Sequence, residues 1–133
     1  MDGGRVLVQP FMEEVVAAGE WSLVFIGGEF SHGMLKRARS GDFRVQSEHG
    51  GSANRGDPGA RIVEQARRAL HAGASDSLYA RVDGCVVDGE FVLMELELIE
   101  PLLWLAEHPD APARLAAALV ERMRQPVSAA RSS

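Results

Sequence analysis

The chain has 133 residues, 46% of them hydrophobic and 25% charged, with a formal net charge of −5 and one cysteine. That length fits a single domain, the composition is ordinary globular usage, and the acidity argues against nucleic acid, whose binding rests on many Lys and Arg contacts to phosphate. Cys85, being alone, excludes an intrachain disulfide and speaks against zinc. No apolar run approaches the ~18 residues of a spanning helix and Met1-Asp2-Gly3-Gly4 lacks a signal-peptide plan, so no membrane partner and a cytoplasmic location are expected.

In chain order, Val6-Leu7-Val8-Gln9-Pro10-Phe11 reads as a short strand ended by proline. Trp21 to Ile26 and Glu29 to Lys36 flank Gly27-Gly28, a pair suited to the positive φ of a hairpin turn. A third extended piece at Asp42 to Gln46 leads into Ser47 to Gly56, the most loop-like stretch of the chain. Asp57 as N-cap, Pro58 at the first helical position and Gly73 after the last turn predict a helix over 58–72, with Glu64 and Arg68 paired at i, i+4. Two strands follow, Leu78 to Val87 and Phe91 to Ile99. The end is read as helical from Pro101 to about Glu107, then from an Asp110 cap to about Arg124 with Leu115, Leu119 and Met123 on one face. Ser128 to Ser133 reads as a frayed polar tail. His32 is read as a strand residue hydrogen-bonded to a neighbour, His49 as part of a loop beside Gly50-Gly51, and Cys85 as inert.

The last two strands pose a register question. Even positions Val92, Met94, Leu96 and Leu98 form one apolar face, and the odd face carries Glu95 and Glu97; in the preceding strand Tyr79, Arg81, Asp83 and Cys85 oppose the apolar side. A two-residue turn at Asp88-Gly89 pairs Val87 with Glu90 and sets the apolar sides on opposite faces. A three-residue loop, Val87-Asp88-Gly89, pairs Val86 with Glu90 and aligns them, so that Arg81, Asp83, Glu95 and Glu97 share one face. The glutamates then lie about 6–7 Å apart along their strand. Three carboxylates that close require a compensating cation, and Mg²⁺, which takes oxygen ligands from carboxylates and phosphates, suits them. The alternative is a solvated face on which Arg81 is a local ion partner. Leu93 and Ile99 on the same side favour a covered cleft.

"YARVDG" followed across a hairpin by "VLMELELIEP" resembles the metal-binding pattern of the ATP-grasp ligases, an Asp and then Glu-x-Asn. Asp83 and Glu95 match it, and Glu97 stands where many members have Asn. Arg81 falls where the D-alanine ligases carry an arginine near the reacting acyl centre. Upstream, "VLVQPF" with Gln9 and Phe11 resembles the linker that holds adenine, and Glu20 in "GEWSLVFIGGEF" the acid that binds ribose hydroxyls. "LKRARSGDFRVQSEHGG" resembles the basic segment and glycine loop over the phosphates, with Lys36, Arg44, Gln46, Gly50 and Gly51 at its positions. Ser22 takes a place where the glutathione-synthetase-like members have arginine.

The resemblance runs from residue 5 to about residue 107 and covers only the C-terminal half of the family's fold. It implies an α+β fold, an antiparallel sheet with helices packed on one side, over a partial ATP-grasp domain at 1–127 with a disordered tail at 128–133. The implied activity is a carboxylate–amine ligase using ATP and Mg²⁺ or Mn²⁺ through an acyl phosphate. Asp83, Glu95 and Glu97 would serve as metal ligands, Arg81 as the catalytic residue, and the remaining residues above as the nucleotide site. The implied partners are ATP and a small carboxylate or amine substrate, with a homo-oligomer left open. A cyclo-ligase, or a non-catalytic remnant binding a nucleotide or partner, is the alternative, and the chain by itself is expected to be an inactive half.

Overall fold

The computed structural model describes residues 8, 10–37 and 52–124. Its elements, in chain order, are a short helix α1 (Glu13–Ala17), strands β1 (Glu20–Ile26), β2 (Glu29–Arg37) and β3 (Ser52–Gly56), helix α2 (Ala60–Ala74), strands β4 (Tyr79–Val87) and β5 (Glu90–Glu97), and helix α3 (Ala111–Arg124). The five strands form one sheet in the order β3-β2-β1-β4-β5, with every neighbouring pair antiparallel. The α+β class and the antiparallel sheet expected from the sequence are what the structure shows.

The central strand β1 explains the layering. Leu23 and Phe25 face one side and join Ile62, Ala66 and Leu70 of α2 with Ala80 and Val82 of β4 in the main core. The α2 residues recur at i, i+4 and i+8, the spacing that puts a single helical stripe against a sheet. On the other side, Val24 and Ile26 meet Ala111, Leu115 and Ala118 of α3 together with Leu103, Trp104 and Leu105. Ser22, on that same side of β1, is left to the polar part of the face.

Several local expectations are corrected. Part of the stretch read as loop, Ser52 to Gly56, is the edge strand β3, held by its pairing with β2 rather than by any apolar alternation of its own. Helix α2 starts at Ala60 with Gly59 as its cap, because Asp57 Oδ1 accepts from the Gly59 N–H at 2.9 Å and forms a turn ahead of the helix. Gly73 lies inside α2, where a β-carbon would stand 2.8 Å from Leu96 Cδ2: the glycine lets helix and sheet approach closely. Gly73→Ala is therefore expected to give no net gain in melting temperature, since helix propensity worth about 1 kcal/mol is offset by displacing Leu96. Glu64 pairs with Arg67 at i, i+3 rather than with Arg68, because Arg67 is also engaged by Glu29. Residues 101–107 are not helical apart from one 3₁₀ turn, Leu105–Glu107. Of the predicted α3 face only Leu115 packs; Leu119 and Met123 are exposed. Helix α1 carried no sequence signal strong enough to be read. Of the expected strand Val6 to Phe11, Val6, Leu7 and Gln9 lie outside the described residues and Val8, Pro10 and Phe11 are in no regular element; the extended piece at 42–46 and the 128–133 tail also lie outside the described residues.

Candidate nucleotide and metal site

The β4–β5 hairpin closes with the two-residue turn, not the three-residue loop: Val87 pairs with Glu90, and Asp88 and Gly89 both have positive φ, 51° and 80°. The parity conflict is resolved further along. Cys85 pairs with Val92 and Gly84 with Leu93, but Asp83 pairs with Glu95 and Arg81 with Glu97, so Met94 is an extra residue in a β-bulge. Gly84 permits it, since a β-carbon there would lie 2.4 Å from Val92 O and 2.5 Å from the Phe91 ring. The even face of β5 is accordingly not continuous: Phe91 packs on the core before the bulge and Leu96 after it. The expected shared face of Arg81, Asp83, Glu95 and Glu97 forms, produced by a bulge at Met94 instead of at the turn.

Cross-strand rows extend that face over β1 and β2. Met34, Ser22, Asp83 and Glu95 lie in one row; His32, Val24, Arg81 and Glu97 lie in the next; Lys36 and Glu20 pair beside them. One oxygen each from Asp83, Glu95 and Glu97 fall within 4.8 Å of one another. Asp83 is 1% exposed, and its burial is made tolerable by two cations. Arg81 Nε donates to Asp83 Oδ1 at 2.9 Å, Arg81 Nη2 to Oδ2 at 2.9 Å, and Lys36 Nζ to Oδ2 at 2.9 Å. Lys36 Nζ also donates to Glu20 Oε1 at 2.9 Å, and Arg81 Nη2 to Glu97 Oε1.

Arg81 is fixed from several sides. Its Nη1 donates to Leu102 O at 3.3 Å and its guanidinium carbon lies 5.4 Å from the Trp104 ring centroid. Five N–H groups are present in a guanidinium, and these bonds leave one on Nη1 unengaged among the described residues. The segment after β5 is thereby drawn across the sheet. Leu102 O takes Arg81, Leu103 O accepts from His32 Nε2 at 2.9 Å, and the His108 ring stacks on His32 with centroids 5.5 Å apart. The positive φ of Glu100 (53°) and Trp104 (43°) shapes this crossing. It also explains why the apolar run Leu102-Leu103-Trp104 is not a helix: two of its carbonyls serve the sheet's buried side chains.

Burial pushes the Glu97 carboxyl above the usual range, with Arg81 pulling the other way, and burial does the same to Glu20 against the attraction of Lys36. For Arg81, burial acts to lower the pKa, but the hydrogen bonds and charge of Asp83 outweigh it and hold it above its ordinary value. Both glutamates bind protons to higher pH in the folded chain than in the unfolded one. Their contribution to stability is therefore greatest at low pH and declines as pH rises from 4.5 through the folded values. Urea unfolding between pH 4 and 7 is expected to show a flatter decline for Glu97→Gln than for the original chain.

Of the predicted site residues, Glu20, Lys36, Arg81, Asp83, Glu95 and Glu97 are brought together. Glu95 is exposed and Glu97 half-buried, and Leu93 and Ile99, 45% and 88% exposed, do not cover them, contrary to the covered cleft expected. Phe11 lies ahead of α1 and is 67% exposed. Gln9, Arg44, Gln46, Gly50 and Gly51, and with them His49, lie outside the described residues. His32 is a buried strand residue whose Nδ1 accepts from the neighbouring Ser31 hydroxyl at 3.0 Å, as read from the sequence, and burial lowers its pKa. Cys85 is fully buried and burial raises its thiol pKa, as suits an inert cysteine. Sequence reading missed Trp104 and Leu102 O; Ser22, read as standing in an arginine's place, is buried, and its hydroxyl has no hydrogen-bond partner among the described residues. A cavity of about 480 Å³ lies elsewhere, lined by Glu29, Asp76, Arg114 and Arg122 among others, and contains none of the predicted site residues.

No family model matches the chain. The cycloserine biosynthesis protein DcsG of Streptomyces lavendulae is 34% identical over 131 residues, covering 92% of this chain and 44% of that protein. The crystal structure of D-cycloserine synthetase DcsG superposes with a TM-score of 0.65 at 32% identity, over 87% of this chain and 42% of that one. The chain matches the C-terminal portion of ATP-grasp ligases. A second ATP-grasp structure, D-alanine–D-alanine ligase from Bacillus anthracis complexed with ATP, shares the fold with a TM-score of 0.54 at 21% identity, over 77% of this chain and 36% of that one. The chain thus spans less than half the length of these ATP-grasp relatives. No helix among the described residues is long and apolar enough to cross a membrane.

Proposed function

We propose that this chain is the nucleotide- and metal-binding half of an ATP- and Mg²⁺-dependent ligase that joins a carboxylate to an amine through an acyl phosphate. The observation that carries this reading is the convergence of Asp83, Glu95 and Glu97 within 4.8 Å, beside Lys36 and Arg81, in the matched portion of the fold. The donor set fits the metal. All three ligands are hard carboxylate oxygens, and with Glu20 they set four acids against two basic side chains, a deficit that one divalent ion balances. Mg²⁺, or Mn²⁺ in its place, would be held by Asp83, Glu95 and Glu97, and when bound supplies neutralisation of phosphate charge.

The chain's own residues act around that centre. Glu20 offers carboxylate oxygens to the ribose hydroxyls, and Lys36 carries positive charge to the phosphates, with Arg44, Gln46, Gly50 and Gly51 completing the phosphate loop and Gln9 and Phe11 bordering adenine. Arg81, oriented by Asp83, Leu102 O and Trp104, directs its remaining Nη1 N–H at the oxyanion that develops as the nucleophile attacks the acyl group. A pre-oriented donor of this kind needs no reorganisation during the reaction. ATP and a small carboxylate or amine are the partners this chemistry requires, with the first half of the fold providing the rest of the clamp; this chain alone is expected to bind without turnover. No nucleic-acid or membrane partner enters the reading, and the location is taken as cytoplasmic.

The 32–34% identity to a protein named as a D-cycloserine synthetase favours a second reading. In a cyclo-ligase the nucleophile belongs to the same molecule as the activated carboxylate, and the residues above keep the same roles. Calorimetry of the chain with MgATP is expected to show saturable heat that disappears when EDTA removes the metal. Absence of heat under both conditions would reject the nucleotide assignment and leave a non-catalytic remnant as the reading.

A further inference from the structure

We infer that Lys36 stands in for the divalent cation at Asp83 and gives up that place only when a polyphosphate arrives together with the metal. The inference rests on the reading of the carboxylate cluster as a metal site. Asp83 is already served by two cations, Lys36 Nζ at 2.9 Å and the Arg81 guanidinium at 2.9 Å. Lys36 belongs to β2, two strands from Asp83, and its side chain reaches there by crossing β1 between Glu20 and the small Ser22. Once across, its ammonium is held between Asp83 and Glu20, with its side chain only 11% exposed.

A divalent ion on Asp83 would lie within a few ångströms of that ammonium, where repulsion between a doubly and a singly charged cation is strong in a site so poorly solvated. One of the two resident cations has to yield. Arg81 is held at several points, by Asp83, Glu97, Leu102 O and the Trp104 ring. Lys36 has two carboxylate contacts and a flexible four-carbon stem, so it is the one that moves. Bare Mg²⁺ offers the displaced ammonium nothing. A metal–polyphosphate complex offers it phosphate oxygens, so metal and phosphate enter as one unit and each raises the affinity for the other by the same factor.

The test uses MnCl₂ alone and the preformed Mn–tripolyphosphate complex, with binding followed by Mn²⁺ electron paramagnetic resonance. The original chain is expected to bind the complex at least about tenfold more tightly than the bare ion. Lys36→Met is expected to bind the bare ion about tenfold more tightly than the original chain does, and to lose its preference for the complex. Weaker binding of both probes by Lys36→Met would make Lys36 a mere prop for Asp83 and overturn the exchange. A measurement on the original chain is independent of how that variant folds. The ¹⁵N-labelled Lys36 ammonium signal should shift with Mg–tripolyphosphate and stay in place with MgCl₂ at equal concentration. A shift with MgCl₂ alone, or calorimetric heat from the complex without a shift, overturns the inference while leaving the metal site intact. No heat from the complex sinks the metal-site reading and the inference with it.

Discussion

Asp83→Ala is expected to destabilise the domain by about 3–5 kcal/mol, the usual consequence of removing one partner from a buried ion network. The carboxylate is 1% exposed and takes hydrogen bonds from both Lys36 and Arg81, whose own side chains are 11% and 10% exposed. Deleting it leaves two cations in a partly dry site with Glu20 and Glu97 as their remaining acids, and the alanine recovers none of the lost bonds. Asp83→Asn should recover part of the stability through hydrogen bonding but not the charge balance. Urea unfolding at neutral pH checks both. A loss below about 1 kcal/mol for the alanine variant would mean that the network is solvated and that Asp83 is no more than a surface ion partner.

Gly84→Ala should be similarly disruptive by a different route. A β-carbon at residue 84 would meet Val92 O at 2.4 Å and the Phe91 ring at 2.5 Å, and the first of these is backbone that can move only if the strands part. Overpacking of this kind costs about 1–3 kcal/mol, and here it falls at the bulge that sets the register of Glu95 against Asp83. The variant is therefore expected to lose stability and metal affinity together. The amide signals of residues 91 to 97 should shift in heteronuclear spectra while those of α2 residues 60 to 68 stay in place. A stable Gly84→Ala chain with unchanged metal binding would show that the bulge does not depend on glycine.

Much of the site was legible in alternation. Arg81, Asp83, Glu95 and Glu97 could be assigned to one face because polar residues recur every second position and a buried sheet needs its apolar sides aligned. Alternation reports parity only, however, so a three-residue loop and a bulge at Met94 predict the same shared face. Choosing between them requires the backbone contact at Gly84, which no periodicity encodes. The diagonal from Lys36 to Asp83 was equally hidden, since it joins β2 to β4 across the small Ser22. Strand β3 was read as loop because Ser52 to Gly56 is a polar edge whose only strand partner among the described residues is β2. The segment 101–107 looked helical by composition. Its carbonyls are instead claimed by Arg81 and His32, partners 21 and 71 residues away in the chain.

The reading of the bulged β4–β5 hairpin as a metal site for nucleotide phosphates is isolated best at Glu95. Its side chain is exposed and, among the described residues, forms no hydrogen bond or ion pair with Lys36 or Arg81, so Glu95→Gln should leave stability within about 0.5 kcal/mol of the original. Titration of MgATP into the original chain and into Glu95→Gln separates metal binding from folding. The variant is expected to bind at least about tenfold more weakly, a loss of ~1.4 kcal/mol, while ATP in EDTA distinguishes the two chains little. Equal MgATP affinity for both chains would mean that the hairpin carboxylates do not hold the metal.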